Sequence, residues 1–332
     1  MRAGTVTGVG APALLVVVAG LLGSVVAAST EIYFVNALVA VAIVVSLYVF
    51  VGNSGVLSFG HISFVAVGAW TAGVLTVPVS EKPAIMQYLF PFLRDHTVGN
   101  VPSLAIAAGV GGVFALVIGL PLMRLSGLAA GIATFGVLEI THNVLRYYEK
   151  IGPGTNTFSS VPETTTLVQA TIGAVVAIAV AFAYQQSRFG RLMRASREDA
   201  AAARAVGVSI YRQRLLAFAL SGALAGFAGA FLAVEVNLSW NEGQTQGLGF
   251  IALAALILSN WNPIRLMAAA FIFGFAQAIP LRLADAPIIG AIPPEFIRMT
   301  PYVVTIVVLA GFVGKVRPPA AAGRAYDASG GG

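Results

Sequence analysis

Phe34-Val-Asn-Ala-Leu-Val-Ala-Val-Ala-Ile-Val-Val-Ser-Leu-Tyr-Val-Phe-Val51 carries no charged side chain, and its apolar residues run on without the alternation of a barrel strand. Wound as a helix it is about 27 Å long, close to the roughly 30 Å hydrocarbon core of a bilayer. Similar stretches recur on both sides of it, at about 11–28, 62–77, 103–120, 127–145, 168–185, 213–236, 247–259, 264–283 and 301–314. Composition leaves little else to build. Of 332 residues, 58% are hydrophobic and 10% charged, against roughly 25% charged in a soluble domain. The expected fold is an all-α polytopic membrane protein of about ten transmembrane helices. One transmembrane domain covers residues 1–318, and a flexible cytoplasmic tail rich in Ala and Gly covers 319–332.

Several chemistries are missing. With no Cys there is no disulfide framework, iron–sulfur ligation or thiol nucleophile. His61, His96 and His142 lack any metal-site spacing, so no metal is expected. Lys82 and Lys150 each follow a Glu, and Gly314-Lys315 precedes Val316 rather than Ser or Thr, so the phosphate-loop pattern is absent. The chain is expected to be no enzyme, to need no cofactor and not to hydrolyse ATP itself.

The net charge of +6 does not imply nucleic acid, because the basic residues lie between apolar spans and report orientation instead. Seven of the nineteen fall in one segment: Arg188, Arg191, Arg194, Arg197, Arg204, Arg212 and Arg214. With that segment in the cytoplasm, alternation puts Arg2, Arg124, Arg265, Lys315, Arg317 and Arg324 on the same side. Lys82, Arg94, Arg146, Lys150, Arg282 and Arg298 remain outside. This 13-to-6 split predicts a multi-pass protein with both termini cytoplasmic. A second reading makes the first span a signal peptide, with Arg2 as its basic region and cleavage near Ala27-Ala28; its long apolar run favours a span.

Inside the basic segment, Ser196-Arg197-Glu198-Asp199 precedes Ala200 to Ala203, Arg204, Ala205, Val206 and Gly207. Ser196 suits an N-cap, and Asp199 stands where a capping box wants an acid. Glu198 and Asp199 complement the helix dipole, and Gly207 suits a left-handed stop. The spacing predicts a short surface helix over about 196–207, with Ala202 and Ala203 on a narrow ridge able to enter a partner's groove. A solvated loop helix fits the same residues.

Polar groups at membrane depth default to function. Glu139, His142, Asn143 and Arg146 share one helical face, with Glu139 expected to bond His142 or Asn143. That face reads either as the lining of a water-filled path or as a clamp between helices. Gly52, Asn53, Gly55 and Gly60 around Ser58 and His61 predict a broken helix whose freed backbone groups are buried or line a cavity. Gly243 to Gly249 is the corresponding segment of the second half, which suggests an inverted repeat. His61 fits a solute contact and a packing residue equally. Gly222, Gly226 and Gly229, like Gly127 and Gly131, form small-residue stripes for close helix packing. Trp70, Trp240 and Trp261 fall near span ends and mark interfaces.

The Ser196–Gly207 segment, followed by Leu215-Leu-Ala-Phe-Ala-Leu-Ser-Gly-Ala-Leu-Ala-Gly-Phe-Ala-Gly229, resembles the permeases of branched-chain amino-acid ABC importers. Gly55-Val-Leu-Ser-Phe-Gly-His61 and Gly127-Leu-Ala-Ala-Gly-Ile-Ala-Thr-Phe-Gly-Val-Leu-Glu139 resemble that family's segments too. The resemblance implies that Ser196, Arg197, Glu198, Asp199, Ala202, Ala203 and Gly207 belong to a coupling helix docking into a cytoplasmic ATPase. It also implies two ATPase subunits that bind the ATP, a second homologous permease, an extracytoplasmic solute-binding protein and a bacterial inner-membrane setting in contact with lipid. Ser58, Gly60, His61, Glu139, His142 and Asn143 are then candidates for the solute path.

The second half differs. Gly249-Phe-Ile-Ala-Leu-Ala-Ala, Asn260-Trp-Asn-Pro263, Ile292-Pro-Pro294 and the Arg317-Pro-Pro-Ala-Ala-Ala-Gly tail look more like the nucleoside permeases of the same superfamily. A helix start after His61 suits a carboxylate, and no parallel aromatic pair brackets it, which leans the solute towards branched-chain amino acids. Nucleosides are the alternative. An ion-coupled secondary transporter or a membrane enzyme using Glu139 and His142 are remoter readings, because the coupling segment and the absence of any nucleophile or cofactor motif argue against them.

Overall fold

A computed structural model of the chain describes residues 3–25, 28–125, 127–152, 154, 161, 166–233, 245, 247–283, 296 and 299–312. Every regular element among them is a helix. The first half holds α1 (Ala3–Val25), α2 (Ala28–Leu47), α3 (Ile62–Thr76), two single turns α4 (Lys82–Ile85) and α5 (Pro91–Arg94), α6 (Asn100–Leu122) and α7 (Gly127–Tyr147). The second holds α8 (Leu167–Gln186), α9 (Arg188–Glu198), α10 (Ala200–Ala205), α11 (Ile210–Phe231), α12 (Leu248–Leu258), α13 (Pro263–Leu283) and α14 (Thr300–Phe312).

Among the described residues, each of the ten apolar stretches overlaps a helix. Five segments among the described residues are long and apolar enough to cross a membrane: Glu31–Gly52, Asn100–Leu122, Gly127–Tyr147, Leu167–Gln186 and Ile210–Phe231. Others, such as α3 and α12, are apolar but shorter. The tail 319–332, Trp240 and, of the Gly243–Gly249 segment, Gly243, Gln244 and Gln246 lie outside the described residues.

The chain divides into two compact units. Unit 1 comprises Met1–Val45, Thr166–Val180 and Phe250–Arg317. In it α14 packs on α13 and α13 on α1, while Phe34 meets Phe275 edge-on at 5.3 Å. The turn into α13 follows from its residues. Asn260 and Trp261 adopt positive φ, and Asn262 Oδ1 accepts from the N–H groups of Ile264 (2.9 Å) and Arg265 (3.3 Å), just after Pro263 at the first helical position.

Unit 2 comprises Ser46–Thr165, Ala181–Gly249 and Pro318–Gly332. Its centre is α3, α6 and α11 packed against one another, and small residues make this possible. A Cβ on Gly68 would land on the carbonyl of Gly226, one on Gly111 would meet the Gly222 carbonyl, and one on Gly229 would strike that of Val65. The stripe expected from the sequence therefore packs backbone on backbone. At one end Lys82 Nζ donates to the carbonyls of Leu93 (2.7 Å) and His96 (2.5 Å), and Trp70 Nε1 donates to Ile151 O (2.7 Å). These bonds pin the connections 77–99 and 147–152 onto the unit.

Candidate solute path and docking segment

The break after α2 is built as the glycines suggested. Helix α2 runs into a π turn at Tyr48–Gly52, and Asn53 Nδ2 donates to the carbonyls of Tyr48 (3.3 Å) and Val49 (3.0 Å) within it. Gly55 takes φ +70°, which favours glycine, and the chain continues without regular structure to α3. Thr134 Oγ1 on α7 accepts from Phe59 N–H (3.1 Å), and Gly60 lies directly against the Thr134 carbonyl. The segment is almost wholly buried. Its backbone needs such partners if it is to exist at membrane depth.

His61 sits at the start of α3, 3% exposed. Its Nε2 lies 3.0 Å from Ser221 Oγ on α11, and Ser221 Oγ donates its own proton to Ser46 O (2.5 Å). Ser221 therefore accepts from His61, which makes the imidazole the Nε2–H tautomer and leaves Nδ1 as an acceptor. Nδ1 and the buried Ser58 Oγ have no hydrogen-bond partner among the described residues. Beside His61, Phe50, Phe64 and Phe218 meet edge to face, with His61 5.2 Å from Phe64. None of these ring pairs is parallel. The backbone donors at the helix start are partly used: Ser63 N–H bonds Gly60 O and Phe64 N–H bonds His61 O. The free helix start expected to suit a carboxylate is thus partly closed.

The polar face of α7 is correctly placed but differently bonded. Gly131, Thr134, Leu138, Thr141 and Leu145 form its buried side, leaving Glu139, Asn143 and Arg146 exposed and His142 half-buried. The expected side-chain pairing of Glu139 with His142 or Asn143 is not formed. Asn143 Nδ2 donates instead to the Glu139 backbone carbonyl (2.7 Å), as a residue four positions on naturally reaches, and His142 Nε2 faces Thr245 Oγ1 at 3.3 Å. The two path candidates, Ser58–His61 and the α7 face, are therefore distinct in character. One is buried and half-satisfied; the other is a polar stripe open on this chain's surface.

The docking segment needs a larger correction. Ser196 is not an N-cap. It is buried inside α9, where its Oγ donates to Met193 O (2.8 Å). Ser187 caps α9 by accepting from Gly190 N–H (3.1 Å). Asp199 begins the next helix: its Oδ1 accepts from Ala201 and Ala202 N–H, each at 2.9 Å. The expected helix over 196–207 is thus the end of α9 plus a six-residue α10. Gly207 does take φ +82° after it, and Arg197 pairs with Glu198 at 2.6 Å. Ala202 is exposed, whereas Ala203 is buried against its own chain, so the outward ridge is Ala201, Ala202, Ala205 and Val206.

Two links escaped the sequence reading. Arg197 Nη1 donates to Gly52 O (2.6 Å), and Arg194 Nη1 donates to Asn53 Oδ1 (3.3 Å). Arg194 and Arg197 stand three apart on α9, and both fasten onto the irregular turn that follows α2. Burial lowers the Arg194 pKa from its ordinary value, and neighbouring Tyr48 counters part of that drop. Glycine's spare carbonyl and the arginine spacing were visible separately, but nothing local joined them.

A bundle of apolar helices with a polar, half-satisfied break and an appended amphipathic segment defines a membrane permease. The profile of the family described as branched-chain amino acid transport system / permease component matches residues 29–309, and the chain belongs to that family. It is a family of transport components, not enzymes. Among similar proteins, the nucleoside ABC transporter permease protein NupC of Lactococcus lactis subsp. cremoris is 38% identical over 152 residues, 46% of this chain and 48% of that protein. The guanosine ABC transporter permease protein NupQ of Bacillus subtilis is 35% identical over 156 residues, 46% and 49%. The high-affinity branched-chain amino acid transport system permease protein LivM of Salmonella typhimurium is 26% identical over 269 residues, 71% and 58%. The matched part spans about half the length of the two nucleoside relatives. No solved structure matches the chain.

Proposed function

We propose that the chain is the membrane-spanning subunit of a bacterial ABC importer and that its solute is of the nucleoside class. The observation that carries the solute assignment is the buried pair Ser58 and His61. Both are uncharged, and both have a polar atom with no partner among the described residues. Neutral hydroxyl and ring N–H groups of a nucleoside can satisfy such atoms. A zwitterionic amino acid needs counter-charges for its ammonium and carboxylate, and burying a charge without one is costly. The higher identity to NupC and NupQ than to LivM supports the same choice.

In this reading the chain lies in the inner membrane as ten spans arranged as an inverted repeat, with both termini cytoplasmic. Two ATPase subunits bind the ATP and receive α10 in a cleft, a second copy or homologue of this permease covers the exposed Glu139, Asn143 and Arg146 stripe of α7, and an extracytoplasmic binding protein delivers solute. Closure of the ATPases displaces α10 and α9. Arg194 and Arg197 carry that displacement to Asn53 and Gly52, and so to the segment holding Ser58, Gly60 and His61. The two membrane-facing states need only differ modestly in stability for partners to select between them.

Branched-chain amino acids are the second reading, favoured by the family's description and by the longer match to LivM. Competition uptake in cells expressing the whole importer separates the two. Adenosine, guanosine or uridine in excess should block transport while leucine and valine do not; the reverse result overturns the nucleoside assignment. Uptake that survives removal of the ATPase would overturn the importer reading itself.

A further inference from the structure

In unit 2, the residues just after α6 and the start of α11 line an open pocket of about 350 Å³, formed by Met123, Arg124, Ile210, Tyr211 and Arg214. Its walls are fixed to each other. Tyr211 OH donates to Leu120 O (2.9 Å), and Arg214 Nη1 donates to Leu125 O (3.3 Å). Arg214 is buried, Arg124 is exposed, and no carboxylate lines the space. The positive end of the α11 dipole adds to the two guanidinium charges. A pocket of this size with that charge suits a phosphate and part of what it is attached to.

The neighbouring surface says what is attached. Val113, Leu116, Val117 and Leu120 fall at helical spacing on one side of α6 and are 41–62% exposed. Leu216 on α11 is 47% exposed. An apolar stripe thus runs along α6 towards the pocket, on a helix long and apolar enough to cross a membrane. A soluble phosphate has no use for it.

We propose that this pocket seats the headgroup of an anionic phospholipid from the leaflet on the α9–α10 side, its phosphate between Arg124 and Arg214 and its acyl chains along Val113 to Leu120. The inference rests on α6 and α11 crossing the membrane, not on which solute is carried. Such a lipid would bridge the start of α11, which follows α10, to the end of α6.

The test uses the purified full chain in detergent, by native mass spectrometry and thermal unfolding, with phosphatidylglycerol, phosphatidylcholine of the same chains, or inorganic phosphate. Phosphatidylglycerol should stay bound and raise the unfolding temperature, and the other two should not. Arg124→Gln, at an exposed position, should weaken its retention about fivefold. Raising salt should strip it from the unmodified protein, a readout that needs no variant. Equal retention of phosphatidylcholine, or undiminished retention in Arg124→Gln, would overturn the headgroup site. Equal stabilisation by inorganic phosphate would make it a free-anion site and overturn the lipid. None of these measurements involves transport, so a failed uptake assay leaves the result standing.

Discussion

Ser221 bonds His61 and Ser58 lies three residues before it in the chain, and the two should answer substitution in opposite ways. Ser221→Ala strands His61 Nε2–H in a buried site, which costs about 1–3 kcal/mol. Ser58 has no partner to lose among the described residues, so Ser58→Ala should leave thermal stability unchanged or slightly raised. If Ser58 meets solute, the same variant should raise the uptake KM, by about two- to tenfold for one lost hydrogen bond. Thermal unfolding in detergent read beside uptake kinetics separates them. A destabilised Ser58→Ala with an unchanged KM would make Ser58 a packing residue. His61 was legible in the sequence because an ionisable group at membrane depth stands out. Its partner was not. Ser221 lies among Ala and Gly and reads as one more small residue, and 160 positions separate it from His61.

Between elements, the informative case is the junction of α9 and α10. The capping signals at Ser196 are genuine locally, but they lose to the longer period begun at Ser187. That period buries Gly190, Met193 and Ser196 on one face of an eleven-residue helix. Asp199, read as the acid of a capping box, is the cap itself. Asp199→Ala should therefore destabilise α10 by about 1 kcal/mol, whereas Ser196→Ala should leave it intact; amide hydrogen exchange at Ala201 and Ala202 reports the difference. The two alanines of the ridge also separate. Ala202→Phe, at an exposed position, should abolish solute-stimulated ATP hydrolysis in the assembled importer with normal membrane insertion. Ala203→Phe should lower the yield of folded protein, because overpacking a buried site costs about 1–3 kcal/mol. Unimpaired hydrolysis in Ala202→Phe would remove α10 from the ATPase contact. Arg197→Gln tests the next link: it should preserve ATPase binding and basal hydrolysis while uptake falls, and unchanged uptake would show that the bond to Gly52 carries no motion.

Across the whole molecule, continuous apolar runs located the helices, since each must satisfy its own backbone in lipid. Which helices meet was not legible, because α3, α6 and α11 recognise one another through glycines that are abundant everywhere in a chain with 37 of them. Orientation rests on a different property again, the distribution of charge. The positive-inside rule predicts a cytoplasmic position for the Arg-rich segment from 188 to 214, and its bonds to Gly52 and Asn53 place the irregular turn that follows α2 beside it within unit 2. A reporter inserted after Arg204 should accordingly be cytoplasmic, and one near Asn156 extracytoplasmic, since α8 runs between those positions and is long and apolar enough to cross once. Cysteine labelling offers the same reading with less disturbance, because the natural chain contains no Cys to confuse it. A single Cys at Val206, 79% exposed, should resist a membrane-impermeant thiol reagent in intact cells and react after permeabilisation. One at Tyr88, 65% exposed, should react in both. Labelling of both from outside would mean an even number of crossings between them, and would turn α10 away from any cytoplasmic ATPase.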